Sequence, residues 1–121
     1  MAFLKFDNVR IAGIAGGAPS NIIDNAAGIS NTYDYDAKAF IEATGVAERR
    51  VSPVLTTSDL CYAAANKLLA DLKWNKKEID VLIFVTKTSD YDEHATSCIM
   101  KDRLGLSKEC YAEDISSGCS S

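Results

Sequence analysis

The sequence predicts an α/β layered fold with a largely parallel sheet, and three observations carry that expectation. Val81-Leu82-Ile83-Phe84-Val85 is a run of five apolar residues, too short for a buried helix and suited to a strand covered on both faces. Leu60, Ala63, Ala64, Leu68, Leu69 and Leu72 recur at helical spacing just before it. Taken along the chain, strand, helix, strand, helix, strand is the order that layered α/β folds show.

Each element has a local reason. Val9 to Ile14 carries apolar residues at alternate positions and reads as a first strand, ended by a loop with Gly16, Gly17 and Pro19. Asn21 to Thr32 is weakly patterned and predicts no long element. Asp36 to Ala43 reads as a short helix stopped at Gly45, and Val46 to Val51 as a short strand ending near Pro53. Thr56-Thr57-Ser58-Asp59 supplies capping oxygens and an early carboxylate for the long helix that follows. A further helix runs from about Ala95 to Leu104, stopped by Gly105, and Cys110 to Ile115 reads as a last strand.

Composition narrows the function. The chain has 121 residues, 47% apolar and 25% charged, which excludes a disordered chain or a long coiled coil. Thirteen basic against seventeen acidic residues give a net charge of −4 without a basic block. Nucleic-acid binding is therefore not expected, because neutralising phosphates takes clustered Lys and Arg. No apolar stretch approaches the ~20 residues needed to span a bilayer. The first residues lack the pattern of a signal peptide. An intracellular, cytoplasmic location is expected, with the four cysteines as thiols.

The motifs are sparse. Gly13-Ile14-Ala15-Gly16-Gly17 fits neither phosphate-loop pattern and reads as a turn of small residues. Ser89 to His94 gathers three carboxylates and the only histidine, but lacks metal-ligand spacing and reads as a solvated acidic loop. No cysteine pair forms C-x-x-C, so a thiol redox site is disfavoured. Cys61, Cys98 and Cys110 fall in element patterns where buried thiols are routine. Cys119 follows a strand, amid very small residues, where a sharp turn exposes a side chain and brings backbone N–H groups close to a ligand. A helix beginning there would lower the thiol pKa. Position alone leaves a nucleophilic role for Cys119 open.

Ordered short blocks over nearly the whole chain resemble the β-ketoacyl-acyl carrier protein synthase III family of the thiolase-like superfamily. Ile11-Ala12-Gly13 through Pro19 is similar to its opening strand and loop, and Thr44-Gly45-Val46-Ala47-Glu48-Arg49-Arg50 to its T-G-I-x-x-R-R block. Thr56 to Leu69 resembles the next helix, Ile79 to Ile83 the I-D strand, Thr86 to Tyr91 a T-x-T-x-D-Y loop, and Cys98 to Gly105 the helix ending in L-G. Asp114-Ile115-Ser116-Ser117-Gly118-Cys119-Ser120 lies where the family has D-(V/I)-x-x-x-C-(S/A).

The resemblance implies the N-terminal portion of a thiolase-like α-β-α layered fold with a mainly parallel mixed sheet, residues 1–121 forming an incomplete N-terminal half. It implies Cys119 as the catalytic nucleophile, with acyl-CoA and malonyl-acyl carrier protein as substrates and no cofactor or metal. It also implies an acyltransferase of fatty acid biosynthesis, and association as a homodimer or with a C-terminal part. The family's downstream histidine and asparagine have no counterpart here, so the isolated chain is expected to be inactive. Ala39 and Ala43 stand where the family often has a coenzyme A-gripping tryptophan and arginine, and Glu93-His94 where a large apolar residue and a proline are usual. A divergent synthase of secondary metabolism and a non-catalytic interaction module of the same fold are the alternatives.

Overall fold

The computed structural model describes residues 5–28 and 36–116. Helix boundaries follow the capping chemistry. The short α1 (Asn25–Gly28) follows strand β1 (Ile22–Asp24) directly. In α2 (Ala37–Thr44), the Asp36 carboxylate accepts the N–H groups of Lys38 and Ala39, and Gly45 closes the helix at a left-handed φ of 72°. In α3 (Thr57–Leu72), Thr56 and Asp59 form a reciprocal capping box. Lys73 ends that helix at a φ of 54°, where glycine is the usual residue. Helix α4 (Thr96–Leu104) stops at Gly105, φ 70°.

The strands form two small sheets. β1 pairs antiparallel with β2 (Glu48–Arg50), placing Ile23 opposite Arg49. β3 (Val81–Val85) runs parallel to β4 (Tyr111–Ile115), with Val81 beside Tyr111 and Val85 beside Ile115. The fold is thus α/β, with one parallel and one antiparallel pair among the described strands.

The core explains the layering. Phe84, Met100, Leu104, Leu106 and Cys110 form its buried cluster, against which Cys61, Tyr62, Ala65, Leu69, Ile79 and Leu82 pack. Helices α3 and α4 therefore both lie on the sheet face that carries Leu82 and Phe84. The expectation that β3 is covered on both faces is corrected here. Val81, Ile83 and Val85 point the other way and are each just over half exposed, because no described element lies over that face. Cys98 is likewise exposed rather than buried, on the outer side of α4.

A second correction concerns Val9 to Ile14. This segment pairs with no strand, and Val9, Ile11 and Ile14 are largely exposed. Alternation marks a chain able to join a sheet, but here the segment makes no ladder with a described strand. The segment instead follows α3. A Cβ on Gly13 would come within 2.9 Å of Leu68 Cδ1, and one on Gly17 within 3.3 Å of the Leu60 carbonyl oxygen.

Two measurements check this layering. Leu104→Ala should lower stability by about 2–5 kcal/mol in urea denaturation, the range for truncating a buried leucine. Ile83→Ser should cost only about 0.5 kcal/mol while reducing the binding of a hydrophobic-surface dye. Unchanged dye binding would contradict an open apolar sheet face.

Candidate active site

In parallel sheets, sites form beyond the carboxyl ends of the strands, where loops and helix starts gather. Here that end comprises Thr86 after β3, Ser116 after β4, and the start of α4. Two carboxylates organise it. Asp114 on β4 reaches across to α4, its Oδ2 accepting the Thr96 N–H and its Oδ1 the Ser97 N–H, both at 2.7 Å. Ala95, the residue before α4, has no capping side chain of its own. Asp114 thus supplies the missing cap from 18 residues away, at the end where the helix dipole favours negative charge.

Thr96 and Ser97 are fully buried. Neither hydroxyl completes a well-directed hydrogen bond, though the Ser97 hydroxyl lies near enough to the carboxylate to favour its charged form. Burial pushes Asp114 upward, but Ser97 and the two N–H donors outweigh it and hold the carboxyl below its ordinary value.

Asp90 is the second organiser. It was expected in a solvated acidic loop, yet it is half-buried and binds the start of α3. Its carboxylate accepts the Thr56 hydroxyl at 2.9 Å and the Ser58 hydroxyl in a shorter contact. Thr57 and Thr88 hydroxyls add a 2.7 Å link between the same two segments. Arg103 of α4 joins in, donating to Asp59 at 2.8 Å and to Ser58 at 3.3 Å, with its guanidinium 4.8 Å from the Tyr62 ring centre. The Arg103 bond, followed by the Thr56 N–H, holds Asp59 below its usual value.

The Thr44–Arg50 block is fixed by Asn25, which is 2% exposed. Asn25 donates from its side chain to the Val46 carbonyl at 2.9 Å and from its backbone to Ala47 at 2.9 Å, and accepts from Arg49. Arg50 donates to the Pro19 carbonyl at 3.1 Å. Both arginines of the block therefore hold backbone segments together.

Cys119, the expected nucleophile, lies outside the described residues, as does the rest of the small-residue segment from Ser117. Cys98 is exposed on the outer side of α4. Burial, and then the Asp90 charge, raise the Cys61 thiol, which keeps it protonated. Cys110 is buried in the core. His94 is exposed beside Tyr91, ring centres 6.3 Å apart. An open hollow of about 680 Å³ lies at the far end of α3, lined by residues including Lys67, Lys73, Trp74 and Lys76, away from the strand ends.

A curated protein of Syntrophomonas wolfei, β-ketoacyl-[acyl-carrier-protein] synthase III, is 34% identical over 112 residues, which are 92% of this chain and 33% of that protein. The chain matches the N-terminal part of synthase III. The same protein of Clostridium novyi is 34% identical over 113 residues, covering 93% of the chain and 34% of the relative. The chain thus spans about a third of the length of the curated relatives it matches.

Among solved structures, a 3-oxoacyl-(acyl-carrier protein) synthase of Burkholderia xenovorans is 36% identical, with a TM-score of 0.77 over 88% of this chain and 32% of that one. OleA of Xanthomonas campestris is 27% identical with a TM-score of 0.78, over 91% and 34%. No protein-family model matches the chain. The thiolase-like fold expected from the sequence is therefore the fold observed, in its N-terminal part.

Sequence reasoning missed Asp114, Asp90 and Asn25 as organisers. Asp114 and Asp90 carried a signal, as the aspartates of the D-I-x-x-x-C and T-x-T-x-D-Y blocks.

Asp114→Ala should lower stability near neutral pH by about 0.5–2 kcal/mol, the usual loss for a helix cap. The native carboxyl lies below the unfolded value of about 3.8, so its contribution is present above that pH and lost as pH falls through the native value. Wild type and variant should converge in acid in pH-dependent urea melts. A gap that widens in acid would contradict the cap.

Proposed function

We propose that this chain is the N-terminal part of a condensing enzyme of the synthase III type, with Cys119 as its acyl-accepting nucleophile. The observation that carries this reading is the match of nine-tenths of the chain, in sequence and in fold, to the first third of such synthases. The thiolate of Cys119 attacks the carbonyl carbon of an acyl-CoA thioester, a new C–S bond forms, and the coenzyme A thiolate leaves and takes up a proton. Malonyl-acyl carrier protein then loses carbon dioxide. The resulting carbanion attacks the enzyme-bound acyl carbon, and the Cys119 thiolate departs as the β-ketoacyl product forms. Backbone N–H donors would hold the developing oxyanion in both steps.

The chain's own residues supply the scaffold for the first half-reaction. Decarboxylation draws on a histidine and an asparagine that the resemblance places downstream and that these 121 residues do not contain. We therefore assign condensation to the complete polypeptide, acting in the cytoplasm, where coenzyme A and carrier-protein thioesters are used. Association, as a homodimer or with the C-terminal part, is supported by the open face of Val81, Ile83 and Val85.

The test compares condensation by the complete polypeptide, by its Cys119→Ala variant and by the 121-residue chain. Only the first should release a β-ketoacyl thioester. Normal turnover by Cys119→Ala, or condensation by the isolated chain, would overturn the assignment.

A further inference from the structure

We propose that Asp114 is a positioning residue for Cys119, fixing the point at which the chain leaves the sheet toward the nucleophile. This rests on the reading of Cys119 as nucleophile.

The cap on α4 is made in an unusual way. A serine or aspartate at position 95 would satisfy the first N–H groups locally, and Ala95 already has the extended backbone, φ −60° and ψ 115°, that such a cap adopts. The chain instead uses a carboxylate on β4, so capping the helix also ties α4 to the strand end. Both carboxylate oxygens are engaged at 2.7 Å, the short range of charge-assisted bonds. Thr96 and Ser97 are 0% exposed, so water cannot replace Asp114 as the acceptor.

The neighbouring residue is held as well. The Ile115 carbonyl accepts the Thr86 N–H at 3.1 Å, which fastens the end of β4 to the chain leaving β3. Consecutive residues are thus anchored to two different elements, and Cys119 lies five positions beyond Asp114. A displacement of about 1 Å is enough to cost roughly 100-fold in a reaction that depends on alignment. A double anchor so close to the nucleophile answers that requirement.

The experiment measures alkylation of each cysteine by iodoacetamide in the native 121-residue protein, across pH, by peptide mass spectrometry. Cys110, 3% exposed in the core, reports the integrity of the fold in the same sample. In Asp114→Asn, which keeps one acceptor oxygen where the carboxylate has two and carries no charge, the Cys119 rate should change at least threefold and its pH midpoint should move. Cys110 should stay protected, and Asp114→Glu should recover part of the wild-type profile. Adding Ala95→Asp to Asp114→Asn gives α4 a local cap without restoring the tie to β4. That double variant should regain the stability lost in Asp114→Asn yet keep the altered Cys119 profile. An unchanged Cys119 profile in Asp114→Asn would overturn the proposal. So would a change matched by Cys110 exposure, or a wild-type profile in the double variant. Failure of the nucleophile reading would appear separately, as turnover by Cys119→Ala.

Discussion

The parallel pairing of β3 with β4 is the constraint on which the described structure depends. Parallel neighbours cannot be joined by a tight turn, so the chain must cross over the sheet between them, and here α4 makes that crossing. The crossover works only if the helix stays on the sheet. Met100 and Leu104 bury themselves against Phe84, with Leu106 and Cys110 closing the cluster behind them. Helix α3 adds Cys61, Tyr62, Ala65 and Leu69 to the same face. Apolar burial sets this layer, and it leaves the residues of opposite parity in β3 uncovered.

Polar contacts then decide where the layer's ends lie. Dispersion and area burial are non-directional, so they hold α4 on the sheet without fixing its start. Asp114 fixes that start, Asp90 fixes the start of α3, and Arg103 links the two helices through Asp59 and Ser58. Asn25 does the same for the Thr44–Arg50 block. Of the groups satisfied, the Ser58 hydroxyl and the Thr96 and Ser97 N–H groups belong to fully buried residues, and leaving such a group unpaired would cost about 1–3 kcal/mol. The Asp114 tie lies at the end of β4, five residues before Cys119 in the sequence.

Local chemistry was legible in the sequence. Thr56 with Asp59, Asp36, Gly45 and Gly105 announced helix ends because capping depends on neighbours within a turn. The apolar run of β3 announced a strand because its length excluded a helix. The family blocks announced the fold, since ordered motifs encode more than composition does. What depended on tertiary neighbours was not legible. Alternation in Val9 to Ile14 could not say whether the segment would join a ladder. The run Val81 to Val85 could not say that one face would lie open. Asp90 stood in a family block, but nothing near it in the sequence showed what it binds, since its partners are 32 and 34 residues away. Ala95 gave no sign that its helix borrows a cap from β4.

The central claim is that Cys119 carries the acyl group, and a covalent trap tests it most directly. The complete polypeptide is mixed with an acyl-CoA in the absence of malonyl-acyl carrier protein, digested, and the peptides are weighed. The account predicts one acyl mass on the peptide containing Cys119, removed by neutral hydroxylamine as a thioester would be. An acyl group found on Cys61, Cys98 or Cys110 instead, or none on any cysteine, would contradict it.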